Sequence, residues 1–290
     1  MNYKILGNDI VLIQSDFDLD ETLDCGQAFR WERIDKNSKD ADILSNIDFD
    51  KAYKGFRLNT PLLISQKKYD KDNDASQITL HNTSERDFLD IWADYFDLET
   101  DYSILKKEFS SDETMSCACK FAPGIRMLKQ DKWEALCSFI ISQNNNIPRI
   151  KGIISRMCEH YGDFPSYDVL AGETVESLAF LRSGFRAKYL IDAAQRLSSG
   201  ELNLNDISAM DLDSARKSLM TIKGVGPKVA ECALLYGMYR TDAFPIDVWI
   251  KRVMEEYYPN GLPDCVKGRE GIAQQYLFHY IRNKEKDEIK

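Results

Sequence analysis

A glycine-containing turn between two apolar segments limits most strongly how this 290-residue chain can fold. The turn is Gly224-Val225-Gly226, and Pro227 follows it directly. Glycine allows a tight turn and a close approach of the backbone to a ligand, because it tolerates positive φ and has no Cβ. Proline suits the first turn of a helix. The pattern predicts a helix, a turn and a second helix, whose outward N–H groups suit a phosphate oxygen. The glycines alone also fit an ordinary helix hairpin.

Three reactive side chains follow this turn. Lys228 lies in the first turn of the second predicted helix, where the helix dipole and partial burial both disfavour the ammonium form. A neutral amine is a nucleophile. Cys232 follows four residues later, so it lies on the same helix face. Asp247 follows Lys228 by nineteen residues and precedes an apolar run, which predicts a helix N-cap and a carboxylate that can serve the amine. The alternative for Lys228 is an ordinary solvated lysine.

The charge of the chain is unevenly distributed. A net charge of −9 argues against a partner that is bound mainly through its phosphates. However, residues 1–120 hold 25 acidic and 15 basic side chains, whereas residues 121–290 hold 22 and 23. The second part can therefore present a local basic face. We expect moderate and strongly salt-sensitive non-specific binding to nucleic acid.

The cysteines and the apolar segments indicate the compartment. Seven cysteines without a regular framework favour a reducing environment over a disulfide scaffold. The first residues lack a basic segment followed by a long apolar one, and no segment reaches about eighteen apolar residues. We therefore expect an intracellular protein, in the cytoplasm and nucleoid or in a nucleus, without membrane association. We also expect a monomer.

Hydrophobic patterning divides the chain into two parts. Short β-branched or aromatic segments, separated by Asp, Asn, Lys and Gly, predict an antiparallel sheet in the first part. The predicted strands are residues 9–14, 27–32, 54–58, 62–65 and 77–80. From about residue 85 the apolar residues recur at helical spacing, most clearly from Trp133 to Ile141 and from Ile150 to Tyr161.

These patterns predict an α+β fold. We expect an N-terminal antiparallel sheet domain at residues 1–112 and an all-helical region at residues 113–290. An acidic, polar stretch at residues 70–74 predicts a mobile loop tip.

Five segments, in order along the chain, resemble one known family. They are Cys25-Gly-Gln-Ala-Phe-Arg-Trp31, Ser142-Gln-Asn-Asn-Asn-Ile-Pro-Arg149, Gly184-Phe-Arg-Ala-Lys-Tyr189, Ile222-Lys-Gly-Val-Gly-Pro-Lys-Val-Ala230 with Pro245-Ile-Asp247, and Ala273-Gln-Gln-Tyr-Leu-Phe278. The glycine turn with its downstream aspartate resembles the helix-hairpin-helix Gly/Pro/Asp superfamily of base-excision DNA glycosylases. The other segments resemble 8-oxoguanine DNA glycosylases within it. The resemblance implies the same two-part arrangement, a TBP-like sheet domain followed by a helix-hairpin-helix glycosylase core.

The resemblance also implies a reaction. Lys228 attacks C1′ of the deoxyribose, displaces the damaged base and leaves a Schiff base that can undergo β-elimination at the 3′ phosphate. Asp247 stabilises the developing positive charge and orients the amine. This chemistry needs no metal and no cofactor, and whether the hairpin holds a cation against a DNA phosphate stays open. An iron–sulfur cluster is excluded because Cys265 is the only cysteine after Cys232.

Two further sets of residues are implied to bind double-stranded DNA that contains 8-oxoguanine. The lesion-binding set is Gly26, Cys232, Gln274 and Phe278. The DNA-binding set is Asn144, Arg149, Phe185, Arg186, Gly224, Gly226 and Trp249. Here the Gly26 backbone senses the hydrogen on N7, Gln274 reads a base edge, and Phe278 opposite Cys232 sandwiches the purine. From its spacing alone, Gln274 is simply a polar position on an amphipathic helix.

The DNA-binding set has its own implied division of roles. Asn144 fills the space that the flipped base leaves, Phe185 wedges beside the estranged cytosine, and Arg149 and Arg186 donate to that base. Phe185 and Trp249 replace a tyrosine and a histidine of better-known eukaryotic members. The preference for the opposite base and the details of phosphate contact therefore stay open.

Three other functions remain open from the sequence. The first is a glycosylase for a different damaged base, although a lysine in the hairpin argues against monofunctional types. The second is a non-enzymatic DNA-binding module, because helix-hairpin-helix units also serve as grips in ligases and polymerases. The third is a structural protein that does not touch DNA.

Overall fold

The computed structural model describes residues 1–35, 44, 47–69 and 75–288. The loop tip predicted at residues 70–74 lies outside the described residues. The chain forms two compact units, Met1–Lys129 and Gln130–Lys290. The sequence predicted a boundary after residue 112. The two units instead meet after Lys129, because the helix Glu113–Phe121 belongs to the first unit.

The first unit is built on one six-stranded antiparallel sheet. Its strands are β1 Tyr3–Leu6, β2 Asp9–Ser15, β3 Glu32–Arg33, β4 Lys51–Arg57, β5 Thr60–Lys68 and β6 Ala75–His81. Their order across the sheet is β1-β2-β6-β5-β4-β3, and neighbouring strands pair antiparallel, as in Ile10↔Leu80 and Ile64↔Leu80. The sequence predicted β2, β4, β5 and β6, and all four are confirmed. Strand β1 was missed.

The strand predicted at residues 27–32 is wrong, because only Glu32 of that segment belongs to a strand. Side chains fix this segment instead of a strand ladder. The Gln27 amide donates to the carbonyls of Thr22 (2.9 Å) and Arg126 (2.8 Å) and accepts from the Leu128 N–H (2.9 Å). The alternation of apolar residues in this segment results from the burial of side chains on a turn and does not indicate the two-residue period of a strand.

Five short helices complete the first unit. They are α1 Leu19–Leu23, α2 Glu85–Asp87, α3 Ala93–Tyr95, α4 Tyr102–Phe109 and α5 Glu113–Phe121. A π-helical turn at Phe88–Trp92 joins α2 to α3. Its aromatic residues pack with Trp31, whose indole N–H donates to the Tyr95 hydroxyl at 2.8 Å. This aromatic cluster covers one face of the sheet.

The second unit is helical in its described residues. Its α-helices are α6 Lys132–Ser142, α7 Ile147–Tyr161, α8 Tyr167–Ala171, α9 Ala187–Ser198, α10 Leu204–Ala209, α11 Leu212–Leu219, α12 Pro227–Cys232, α13 Val248–Glu256 and α14 Glu270–Glu288. The apolar stripe predicted on α6 is buried along its length, and α7 buries Ile150, Ile153, Ile154 and Met157 of the second stripe. The α+β class is confirmed.

In the part of the chain that the structure describes, no helix combines the length and the apolar character needed to cross a membrane.

Two glycines, Gly55 in the first unit and Gly152 in the second, differ in the space around them. A Cβ on Gly55 would lie 2.3 Å from the Trp31 ring, so we expect Gly55→Ala to lower the free energy of unfolding by about 1–3 kcal/mol through overpacking. Gly152 lies inside α7, where the nearest atom to a new Cβ is the Arg156 Nη1 at 3.5 Å. Gly152→Ala should therefore raise the free energy of unfolding by about 0.5–1 kcal/mol through helix propensity. Urea denaturation measures both, and equal effects would contradict the packing described.

Candidate functional site

The glycine turn joins α11 to α12 and packs on α9. Gly224 has φ +77°, and a Cβ there would lie 2.4 Å from the ring of Tyr189. The carboxylate of Asp192, one helical turn further along α9, accepts the Lys223 N–H at 2.8 Å. The predicted helix, turn and helix are thus confirmed. One side of the turn is fixed by α9. The other side is open at Gly226, where a Cβ would meet no atom within 4 Å among the described residues.

The Lys228 side chain is half-buried at the start of α12. Its Nζ lies 5.4 Å from the centre of the Phe139 ring, and Cys232 follows one turn later on the same helix. Burial raises the pKa of the Cys232 thiol to about 11, and the Lys228 charge acts in the opposite direction. Near neutral pH Cys232 is therefore a neutral thiol beside the amine.

Asp247 is the N-cap of α13. Its Oδ1 accepts the N–H groups of Trp249 (3.0 Å) and Ile250 (2.8 Å), so the predicted cap is confirmed. The Asp247 charge also contributes to raising the pKa of Cys232, because the carboxylate lies in the surroundings of that thiol. The charges of Lys228 and Asp247 therefore both act on Cys232, and Oδ2 of Asp247 is not used by the cap.

A buried chain of aromatic and amide groups lies beneath the amine. Phe139 stacks on Tyr236 with ring centres 4.9 Å apart, and the Tyr236 hydroxyl donates to Gln275 at 2.7 Å and lies 3.2 Å from Oε1 of Gln274. Gln274 is 4% exposed. Its carbonyl is therefore oriented by Tyr236 before any ligand arrives. Phe278 lies one turn further along α14 and is half-buried, with the Arg282 guanidinium 5.7 Å from its ring centre.

The residues between α6 and α7 present Asn144 at the surface. Asn144 is exposed and has φ +47°, a conformation that asparagine adopts more readily than most residues. Asn146 caps α7 by accepting the Arg149 N–H at 3.0 Å. Arg149 is exposed. The two helices predicted from the apolar stripes on either side of this junction are confirmed.

Arg186 is buried and bound to main-chain carbonyls. Its Nε and Nη2 both donate to the Gln143 carbonyl, Nη2 donates to Asn144 (3.0 Å), and Nη1 donates to Ser183 (3.1 Å). A guanidinium has five N–H groups. At most one stays free here, so the two-bond fork predicted to meet cytosine is not available while this arrangement holds. Arg186 instead holds the segment that carries Asn144.

Two of the predicted DNA-binding residues, Phe185 and Trp249, are aromatic and partly exposed. Phe185 is 45% exposed, with the Arg186 guanidinium 4.5 Å from its ring centre and the Tyr189 ring at 5.7 Å. Trp249 is half-buried, and the Arg252 guanidinium lies 5.1 Å from its ring.

Gly26 belongs to the first unit. It has φ +92°, in the region that favours glycine, and follows Cys25. Burial raises the pKa of Cys25 to about 11, and its thiol donates to the Thr22 carbonyl at 3.3 Å. Cys25 and Gln27 thus fix the turn on both sides of the Gly26 carbonyl.

Sequence reasoning missed several residues that shape the site. Asp192, Tyr189, Phe139 and Tyr236 show no spacing signal, because their roles come from contacts between helices. Glu231 does carry a signal, since a charged residue within the apolar run from Val229 to Leu235 requires a buried partner.

The two glycines of the turn allow a matched test. Gly224→Ala should lower the free energy of unfolding by about 2 kcal/mol or more, because of positive φ and the Tyr189 ring. Gly226→Ala should change it by less than about 1 kcal/mol, yet weaken duplex binding about tenfold by obstructing approach of a phosphate to the turn. Thermal unfolding and fluorescence anisotropy measure the two quantities. Normal duplex affinity in a folded Gly226→Ala protein would contradict a phosphate contact at this turn.

Comparison with known families covers both parts of the chain. Residues 9–136 match the family described as 8-oxoguanine DNA glycosylase, N-terminal domain, and residues 137–263 match the HhH-GPD superfamily of base excision DNA repair proteins.

Similar proteins have been characterised in sequence and in structure. A probable N-glycosylase/DNA lyase of Methanothermobacter thermautotrophicus is 31% identical over 64% of this chain and 71% of its own length. The structure of MBOgg1 with a low affinity DNA ligand has a TM-score of 0.85 and 38% identity, and the match covers 98% of this chain and 99% of that one. The Clostridium acetobutylicum 8-oxoguanine glycosylase/lyase, in complex with dsDNA containing cytosine opposite 8-oxoG, has a TM-score of 0.84 and 31% identity, covering 98% and 99%. This chain therefore belongs to the 8-oxoguanine DNA glycosylase/lyase family of the helix-hairpin-helix superfamily.

Proposed function

We propose that this protein is a bifunctional DNA glycosylase and AP lyase that removes 8-oxoguanine from duplex DNA in base excision repair. The observation that carries the proposal is the half-buried Lys228 amine at the start of α12, above the Phe139 ring and on the same helix as the neutral Cys232 thiol, whose pKa both Lys228 and Asp247 influence. The family and the activities named for its relatives support the same function.

The reaction begins at the sugar. Lys228 attacks C1′ through the lone pair of its amine, and the bond from C1′ to the base breaks with its electron pair leaving on the base. Asp247 stabilises the positive charge that develops on the sugar. The nitrogen then loses a proton and the C1′–O4′ bond opens with its electron pair on O4′, which takes up a proton, so that C1′ and the nitrogen form a Schiff base. Loss of a C2′ proton then breaks the C3′–O bond and releases the 3′ phosphate by β-elimination. A neutral Cys232 thiol suits this step, because it has no negative charge that would bind the lysine in a salt bridge.

The base is recognised before it is cut. A base within a duplex hides its glycosidic bond, so it must be extruded into a pocket. Gln274 has an amide oriented by Tyr236, which favours reading of one base edge, and Phe278 offers a ring face for stacking. Cys232 would contact the opposite face. The Gly26 carbonyl is assigned to the N7 hydrogen that distinguishes 8-oxoguanine from guanine.

The duplex is bound through main-chain groups and a few side chains. The turn at Gly224 and Gly226 offers N–H groups to a phosphate. Asn144 is exposed at the end of α6 and suits the space left by the extruded base. Arg149, Phe185 and Trp249 contribute contacts around it. The substrate also implies an intracellular location, and we propose that the protein acts as a monomer.

Borohydride trapping tests the nucleophile. Lys228→Gln should abolish the covalent adduct with an 8-oxoguanine duplex and lower the excision rate at least about a thousandfold, because the attacking amine is gone. Duplex affinity should stay within about threefold, since Lys228 reacts with C1′ and adds little to ground-state binding. Lys267→Gln removes an exposed lysine of the same unit and is the control. An adduct that forms equally well with Lys228→Gln would show that another amine reacts.

Two arginines separate a DNA contact from a structural one. Arg149→Ala should weaken binding of an 8-oxoguanine duplex about tenfold and leave the melting temperature unchanged, because the side chain is exposed. Arg186→Ala should lower the free energy of unfolding by about 1–3 kcal/mol, since buried carbonyls lose their donors. Differential scanning fluorimetry and anisotropy distinguish the two. A native melting temperature for Arg186→Ala would contradict the carbonyl contacts.

A further inference from the structure

The carboxylate of Glu231 links the helix of the proposed nucleophile to the segment of the proposed carboxylate. Glu231 lies on α12, three residues after Lys228, and is 7% exposed. Its Oε2 accepts the Phe244 N–H at 2.8 Å. Phe244 lies in the irregular segment Phe244-Pro245-Ile246, which leads directly into Asp247, the N-cap of α13.

The other carboxylate oxygen forms an ion pair. The Arg216 Nε on α11 donates to Glu231 Oε1, and the Arg216 Nη1 pairs with Asp213 at 2.6 Å. A buried charge without a partner is strongly unfavourable, so Arg216 is what allows a carboxylate at this position. The two oxygens thus have separate tasks. Arg216 neutralises the charge, and the Phe244 contact determines where the irregular segment lies.

We infer that Glu231 is a positioning residue that sets the distance between the Lys228 amine and the Asp247 carboxylate. This inference rests on the proposed function. Lys228 and Asp247 lie on different elements, and Glu231 connects α12 to the Phe244 N–H three residues before Asp247. Pro245 follows directly and restricts the backbone. A shift of Phe244 would therefore also move Asp247. A misplacement of about 1 Å can lower a rate about a hundredfold.

Two double variants differ only in the hydrogen-bond acceptor. Both carry Arg216→Met, which removes the ion pair. One adds Glu231→Gln, whose amide oxygen can still accept the Phe244 N–H. The other adds Glu231→Met, which has a similar length but no such acceptor. Replacing both members of a buried ion pair with apolar residues often preserves folding, so the second protein is not left with an unpaired charge.

The rate constant for excision under single-turnover conditions is the main measurement. For Arg216→Met with Glu231→Gln (the Met/Gln protein) we expect a rate constant within about threefold of the native one. For Arg216→Met with Glu231→Met (the Met/Met protein) we expect the rate constant to be about 10- to 100-fold lower. The dissociation constant for the same 8-oxoguanine duplex should stay within about threefold in both, because Glu231 does not contact DNA in this scheme. Equal rates in the two proteins, or a loss that appears in affinity alone, would overturn the inference.

Amide hydrogen exchange gives a readout that needs no substrate. The Phe244 amide should be protected in the native and Met/Gln proteins and should exchange faster in the Met/Met protein. Equal protection in all three would also overturn the inference. The native protein with the 8-oxoguanine duplex is measured first. If it releases no base and forms no adduct, the proposed function is wrong, and the exchange result still decides whether Glu231 holds Phe244.

Discussion

The contact between the glycine turn and α9 is the constraint on which the site depends. Gly224 lies against the Tyr189 ring with a positive φ, and Asp192 binds the Lys223 N–H, so the turn can leave α11 in only one direction. That direction determines where α12 begins. Since Lys228 is the second residue of α12, its position follows from this contact and from Phe139 beneath it. The residue type that makes the turn possible is therefore also the one that places the amine.

Arginine side chains have an unexpected use in this molecule. Arg186 binds the carbonyls around Asn144, and Arg156 donates twice to the Leu181 carbonyl, next to Arg182 with φ +53°. Main-chain carbonyls near left-handed residues cannot join a helix or a sheet, so they need donors from elsewhere. A planar guanidinium supplies several donors at once. Some of the basic residues near the motifs consequently hold the protein in shape and are not available to phosphates.

The sequence predicted the parts of the fold that depend on local chemistry. The Gly224 turn, the cap at Asp247, the stripe of α6 and four strands all follow from short-range patterns, and each is present. The segment at residues 27–32 was misread because burial of Trp31 and Gln27 on a turn leaves the same alternation as a strand. The bonding of Arg186 could not be foreseen, since it depends on carbonyls 42 and 43 residues away.

The net charge of −9 is compatible with DNA binding because the proposed contacts combine the exposed Arg149 with main-chain N–H groups. The turn offers main-chain N–H groups and the positive end of α12, and these attract a phosphate without adding formal charge. Near the reacting groups, Cys232 is neutral and Glu231 is matched by Arg216, so neither leaves a net charge to repel an incoming strand. In the proposed function, selectivity for a damaged base depends on shape and hydrogen bonding around Gln274 and Phe278. An acidic protein can in this way bind DNA, provided that buried carboxylates near the contact surface are paired with cations, as Glu231 is with Arg216.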